Sequence, residues 1–209
     1  MPRFLNMFQA VIALWLLLAC CLPVAAQTAA SCLPGDIIFQ TEPSRQSQAV
    51  QLATGSRYSH CGIIFEKQGQ LYVVEAIGRV SWTPLDAWIK RGIDQHYVVM
   101  RLKDRDALLD GPALQNMQQQ AVRFTGKPYD IYFKWSDEQI YCSELVWKIY
   151  ERGAGLKLVM PRPFSSYSLN HGEVQKIIME RFGVEFPLDE LAVSPGDLMD
   201  SPLLQTVTD

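Results

Sequence analysis

The sequence has no long run of lysine or arginine, no internal repeat and no low-complexity stretch. Without a basic run there is no stripe of charge to follow nucleic-acid phosphates, and the 19 basic residues are outnumbered by 22 acidic ones. We therefore expect no nucleic-acid partner. Charged residues make up only 20% of the 209-residue chain and hydrophobic residues 48%, which is typical of a globular domain and not of a disordered chain.

The first 26 residues contain a single charge, at Arg3. Residues 11–22 form an apolar stretch that suits the h-region of a signal peptide and is short for a membrane span, which needs about 20 apolar residues. Residues 24–26 are small, as a signal peptidase requires. We predict that residues 1–26 are a signal peptide and that residues 27–209 form an exported, periplasmic domain.

Two other routes remain open for this segment. Leu17-Leu18-Ala19-Cys20 resembles a bacterial lipobox, in which Cys20 is lipidated. An uncleaved segment would instead anchor the protein in the membrane. All three routes place the domain outside the cytoplasm, and only the last two attach it to a membrane.

Short strand-like and helix-like segments alternate through the rest of the chain. This order predicts one domain of the α+β class with a mainly antiparallel sheet. The predicted strands are residues 35–40, 61–66, 71–77 and 96–102, and the predicted helices follow Ser44, Thr83, Pro112, Tyr141 and His171. Thr83 is expected to cap its helix, and a long loop or flap is expected over residues 153–172.

Removal of residues 1–26 leaves three cysteines, which are Cys32, Cys61 and Cys142. An odd number in an exported domain leaves at least one thiol without a disulfide partner. Cys142 falls at the start of an amphipathic helix, where the free N–H groups and the positive end of the helix dipole favour a thiolate. The sequence therefore predicts a nucleophile at Cys142; the alternative is a buried cysteine that packs as a small hydrophobic residue.

A predicted β-hairpin brings a histidine and a glutamate together. A four-residue turn at 67–70 places His60 opposite Ile77, so that Glu75 becomes a diagonal neighbour of His60 on the same face, about 7 Å away. A slip of one residue would move Glu75 to the opposite face. The prediction therefore depends on the register of this hairpin.

These residues suggest a Cys-His-Glu triad. A carboxylate at Glu75 would orient the His60 imidazole, whose other nitrogen would take the proton of the Cys142 thiol. The alternatives are a structural histidine and a solvent-facing strand glutamate. His96 and His171 have no comparable polar partner in their sequence patterns and are assigned no role.

Four motifs occur in the order Pro34-Gly35-Asp36-Ile37-Ile38-Phe39, Tyr58-Ser59-His60-Cys61-Gly62-Ile63, Val74-Glu75-Ala76 and Tyr141-Cys142-Ser143-Glu144-Leu145-Val146. Together they resemble the permuted branch of the NlpC-type papain-like cysteine hydrolases, and specifically the YiiX/YebB-like exported bacterial proteins. The resemblance implies a circularly permuted papain-like fold, because here the cysteine follows the histidine. It also implies Cys142 as nucleophile, His60 as general base and Glu75 as the orienting residue.

The activity that the resemblance implies is acyl transfer without a cofactor or a metal. Thiolate attack on an amide would give a thioester, with the oxyanion held by backbone N–H groups at the start of the Cys142 helix. Tyr129 and Tyr141 are candidates for the pocket or the oxyanion site. Peptide amides of the cell wall are the expected substrates.

Three other functions remain open. The first is a lipid acyl hydrolase or acyltransferase with the same triad and a pocket lined by Tyr129, Tyr132, Phe133 and Trp135. The second is a non-catalytic module that binds the cell wall. The third, a zinc site built from Cys32, His60, Cys61 and Cys142, matches no compact zinc pattern.

The sequence departs from the family at Cys61, where relatives usually carry an aliphatic residue. Alternation along a strand should point Cys61 away from His60. We therefore expect Cys61 to pack against or pair with Cys32, and not to meet Cys142.

Overall fold

A computed structural model describes residues 31–207 of the chain. Its main sheet contains β1 (Ile37–Gln40), β2 (His60–Lys67), β3 (Gln70–Ile77), β4 (Arg79–Pro84), β5 (Tyr97–Leu102) and β8 (Leu204–Thr206), and a second sheet contains β6 (Arg162–Pro163) and β7 (Leu191–Ala192). The order of the main sheet is β4-β3-β2-β1-β5-β8, and all of its neighbouring strands are antiparallel. The predicted α+β class with an antiparallel sheet is confirmed.

The helices are α1 (Arg45–Thr54), α2 (Leu85–Arg91), α3 (Arg105–Leu108), α4 (Gly111–Phe124), α5 (Cys142–Ala154), α6 (Gly172–Phe182) and α7 (Pro195–Met199). As predicted, the Ser44 hydroxyl caps α1, where it accepts a hydrogen bond from the Ser47 N–H at 3.0 Å. Within residues 31–207, no helix is long and apolar enough to cross a membrane. The predicted signal segment, the lipobox and the anchor lie outside the described residues.

The two faces of the sheet carry separate cores, because side chains alternate along each strand. On one face, Phe39 and Ile63 pack in a cluster with Leu145 of α5. On the other, Ile38 and Ile64 pack in a cluster with Trp88 of α2. The sheet thus separates α5 from α2, and groups from both sides can meet at the ends of its strands.

Residues 79–84 form a strand that the sequence analysis missed. β4 pairs with residues 72–77 of β3, after a turn at Gly78 whose φ of 63° suits glycine. The expected capping role of Thr83 is wrong, since α2 begins at Leu85 and has no side-chain cap. Pairing with β3 takes the Thr83 backbone into the sheet and leaves its hydroxyl free for another partner.

The segment predicted as a loop or flap at residues 153–172 contains more structure than expected. α5 ends at Ala154, and Gly155 is its C-cap residue. Further along, Arg162–Pro163 (β6) pairs with Leu191–Ala192 (β7). A 3₁₀ turn follows at Phe164–Ser166. The later chain therefore holds this segment through a short ladder that local patterns do not reveal.

α4 and α5 approach each other closely at Gly153. A Cβ atom at this position would lie 2.5 Å from the Cα of Met117 and 2.7 Å from its backbone nitrogen. We expect Gly153→Ala to lower the free energy of unfolding by about 1–3 kcal/mol, because overpacking outweighs the gain in helix propensity. Urea denaturation measures the change.

The matched control is Gly172→Ala at the first residue of α6, where a Cβ would meet nothing within 4 Å. We expect that variant to stay within about 0.5 kcal/mol of the wild type. Equal stability of Gly153→Ala and the wild type would show that the two helices can separate without cost.

Candidate active site

The predicted pairing of His60 and Glu75 is present. The hairpin register is as expected, with Ile63 opposite Val74 and Glu66 opposite Leu71. The Nε2 atom of His60 lies 2.6 Å from Oε2 of Glu75, and both side chains are buried. The remaining imidazole nitrogen, Nδ1, is therefore left for another partner.

Three further groups donate hydrogen bonds to the Glu75 carboxylate. They are the Thr83 hydroxyl at 2.6 Å, the Trp88 indole N–H at 2.9 Å and the Arg91 guanidinium. Burial opposes ionisation of Glu75, but its bonds with His60, Arg91 and Thr83 outweigh that effect and lower its pKa to about 2. The carboxylate therefore stays charged and fixed in place at neutral pH.

Cys142 is the first residue of α5, as predicted, and only 5% of its surface is exposed. Hydrogen bonds from the Cys61 thiol and then from His60 lower the pKa of the Cys142 thiol well below its usual value, although burial opposes this. Burial by itself would lower the pKa of His60, but its hydrogen bonds with Cys142 and Glu75 raise it to about 10. The arrangement favours a thiolate beside an imidazolium.

The expectation that Cys61 lies beside Cys32 and away from Cys142 is wrong. Cys61 does point away from the Trp88 side of the sheet, but that face is the one on which α5 packs, so Cys61 joins the same core cluster as Cys142. Cys32 belongs to the cluster on the opposite face, and none of the three cysteines within residues 31–207 forms a disulfide. Alternation gave the correct face; only the packing of α5 shows what lies there.

The zinc site that the sequence left open needs Cys32 next to Cys61 and Cys142. Cys32 lies on the other side of the sheet from these two cysteines, so the four residues do not form one site. A different group of possible ligands is found instead. One ligand atom each of Glu42, His60 and Glu75 lies within 4.8 Å of the others.

A cavity of about 120 Å³ lies beside Cys142, lined by residues of α1 and α6 and of the loops before and after α5. Its walls are largely apolar and include Phe133, Tyr141, Phe164, Ile177, Phe182 and Val193. Phe164 comes from the segment that was expected to form a flap. Apolar walls with a few polar groups are typical of a small-molecule site.

The two tyrosines suggested by the sequence both line this cavity. The Tyr141 hydroxyl accepts a hydrogen bond from the Val193 N–H at 3.2 Å, whereas the Tyr129 hydroxyl accepts one from the Gln46 amide at 2.7 Å. Gln46 was missed by the sequence analysis, because nothing in a helical pattern distinguishes it from other polar residues of α1.

Of the aromatic residues suggested for a lipid pocket, Tyr129 and Phe133 line the cavity. Tyr132 and Trp135 do not. The Tyr132 ring packs against Phe182, with centroids 5.5 Å apart, and the Trp135 ring packs against Trp147 at 5.1 Å.

Known proteins with similar sequences and structures match nearly the whole described region. Residues 31–208 match the family described as "Permuted papain-like amidase enzyme, YaeF/YiiX, C92 family". The chain is 43% identical over 173 residues to the uncharacterized protein YiiX of Escherichia coli strain K12, covering 83% of this chain and 84% of that protein. The crystal structure of metalloprotein YiiX from Escherichia coli O157:H7 superposes with a TM-score of 0.81 at 42% identity, covering 85% of this chain and 97% of that one.

The thiolate–imidazolium pair predicts the pH dependence of Cys142 alkylation. Because the pKa of Cys142 is lowered and that of His60 is raised to about 10, the reactive pair exists between these two values. We expect iodoacetamide to modify Cys142 at pH 6 roughly a hundredfold faster than an ordinary thiol, which is mostly protonated there. Peptide mapping by mass spectrometry measures the rate at each cysteine.

In the His60→Ala variant the stabilising cation is absent, so the alkylation rate should fall at pH 6 and rise with pH as it does for an ordinary thiol. Cys32 in the same sample is the internal reference. Equal, slow labelling of Cys32 and Cys142 in the wild type would contradict an activated nucleophile.

Proposed function

This chain belongs to the YaeF/YiiX, C92 family of permuted papain-like amidases, and on that basis we propose that it is an exported cysteine amidase with Cys142, His60 and Glu75 as its catalytic triad. The observation that carries the proposal is the 2.6 Å bond between His60 Nε2 and Glu75 Oε2. It leaves the other nitrogen of the ring for the sulfur at the start of α5. Export itself rests on the signal-like segment at residues 1–26.

In the proposed reaction, the Cys142 thiolate attacks the amide carbonyl and forms a tetrahedral intermediate. The His60 imidazolium then gives its proton to the leaving amine, which leaves a thioester on Cys142. The neutral imidazole next removes a proton from water, which hydrolyses the thioester. Glu75 holds the ring in position throughout and is not protonated.

Two groups near the sulfur are suited to hold the oxyanion. The first is the set of free N–H groups at the start of α5. The second is the Tyr129 hydroxyl, whose own proton is left to donate because its oxygen accepts from Gln46. One such donor contributes about 10²–10³-fold to the rate in other hydrolases.

The description of the YiiX relative as a metalloprotein raises the question of a metal at Glu42, His60 and Glu75. The donor atoms there are already engaged. Arg91 donates to both carboxylates, with its Nε atom 2.8 Å from Oε1 of Glu42. A cation would have to displace this guanidinium, so the residues do not fit a metal centre, and the mechanism proceeds through none.

The substrate proposed from the sequence is a peptide amide of the cell wall. The apolar cavity favours a second candidate, an amide with a hydrocarbon acyl group. Its volume of about 120 Å³ is close to that of an apolar cavity of about 150 Å³ known to bind benzene. A hydrophobic group of about six carbons would therefore fill this cavity.

Replacement of the nucleophile tests the proposed activity. We expect Cys142→Ala to reduce amide hydrolysis by more than about 10³-fold, because no other group supplies the thioester step. Cys32→Ala, on the far face of the sheet, should keep the wild-type rate. Release of amines from peptidoglycan fragments and from N-acyl amides, assayed in parallel, separates the two substrate candidates; full turnover by Cys142→Ala would refute the proposal.

Replacement of Glu75 tests the orienting role. We expect Glu75→Gln to lower kcat/KM about tenfold and to move the alkaline limb of its pH profile below the His60 pKa of about 10. The reason is that the neutral amide no longer stabilises the imidazolium. Glu66→Gln, at an exposed site of the same hairpin, is the control. An unchanged alkaline limb would argue against the role of Glu75.

A further inference from the structure

Arg181 introduces a charge into an otherwise apolar cavity. It lies on α6 and is partly buried, and among residues 31–207 no lysine, aspartate, glutamate or other arginine lines the cavity beside Cys142. A lone cation in such a wall is costly unless a partner compensates its charge. Its contacts therefore bear directly on what the cavity binds.

The protein supplies Arg181 with neutral partners only. Its guanidinium donates to the Ile131 carbonyl at 2.7 Å and to the Gln46 side-chain oxygen at 2.6 Å. In the described part of the chain, no carboxylate oxygen lies within 4.0 Å of it. By contrast, Arg91 and Arg162 each form an ion pair with a carboxylate.

These neutral contacts fix the guanidinium in one orientation. Two of its N–H groups are held by Ile131 and Gln46, and its central carbon lies 5.6 Å from the centre of the Phe133 ring. Burial lowers the pKa of Arg181, against the pull of nearby acidic and phenolic groups. An oriented guanidinium with N–H groups to spare is suited to bind a carboxylate.

Arg181 is also connected to the reacting centre. Gln46 accepts from Arg181 and donates to the Tyr129 hydroxyl, the proposed oxyanion donor. The Phe133 ring below the guanidinium packs against Tyr141, the neighbour of Cys142, with centroids 5.3 Å apart. An anion bound by Arg181 would thus lie in the same cavity as a carbonyl held at Cys142.

We propose that Arg181 binds a carboxylate of the substrate, so that the preferred amide carries both an apolar group in the cavity and a carboxylate beside it. This inference rests on the proposed function, because it assumes that the cavity is the substrate site of Cys142. The required chemistry is found in an N-acyl amino acid and in a cell-wall peptide with a free terminal carboxylate. Both sources present an anion and a hydrophobic group to one site.

The test measures how ligands protect Cys142 from iodoacetamide, which requires no turnover. Hexanoate and hexanamide have the same length and differ in charge. We expect hexanoate to protect the wild type at about a tenfold lower concentration than hexanamide, since a hydrogen bond to a charged group is the stronger one. In Arg181→Met the two should protect equally, at the hexanamide level of the wild type, and Arg181→Lys should restore part of the preference.

Arg45→Met is the matched control. Arg45 also joins α1 to α6, through an exposed ion pair with Glu180 at 2.9 Å, but does not line the cavity. This variant should keep the preference for hexanoate. If Arg181→Met loses protection by both ligands, the residue shapes the cavity and does not recognise charge, and the inference is overturned; equal protection by both ligands in the wild type overturns it as well.

Calorimetric titration of hexanoate into the wild type and Arg181→Met gives a second readout that is independent of Cys142. Slow labelling of Cys142 together with Arg181-dependent binding of hexanoate would refute the proposed function and support the anion site. Selective labelling of Cys142 without a preference for hexanoate would support the proposed function and refute the anion site.

A last comparison identifies the source of the carboxylate. N-hexanoylglycine and acetyl-D-alanyl-D-alanine are each compared with the corresponding C-terminal amide. The compound whose protection of Cys142 is reduced more strongly by Arg181→Met carries the preferred carboxylate.

Discussion

The buried bond between His60 and Glu75 is the interaction on which the rest of the site depends. Two ionisable groups out of contact with water can both be charged only when their neighbours share the charge. Thr83, Trp88 and Arg91 do this for the carboxylate by donating to it. The imidazole is thereby held with one nitrogen occupied, and its other nitrogen is available to the sulfur of Cys142.

The two-sided packing of the sheet explains how this site is assembled. Glu75 and its donors lie on the face covered by α2, whereas Cys142 belongs to α5 on the opposite face. His60 is the first residue of β2, and the end of a strand is where groups from both faces can meet. The Cys142 thiol and the Glu75 carboxylate can therefore contact one imidazole although they lie on different faces of the sheet.

The cavity combines two contrasting properties. Its walls are almost entirely apolar, yet Arg181 faces it with only neutral protein partners. Both properties are explained if the bound molecule is itself amphipathic, since its hydrocarbon would fill the cavity and its anion would neutralise the guanidinium. Cys142 itself lines the cavity, so the proposed recognition of the substrate and the proposed attack on it would share a few side chains.

Patterns within short stretches determined β1, β2, β3 and β5 of the main sheet, most helix ends, the hairpin register and the positions of Cys142, His60 and Glu75, because alternation, capping and helix dipoles act over a few residues. The fold alone decided the partners. The local pattern predicts that Thr83 caps a helix, but Thr83 lies in β4, which pairs with β3. Alternation predicts that Cys61 lies beside Cys32, but α5 covers the face to which Cys61 points. Gln46, Arg91 and Arg181 are ordinary polar helix residues in the sequence. They acquire a role only where distant segments pack together, and no local pattern records that contact.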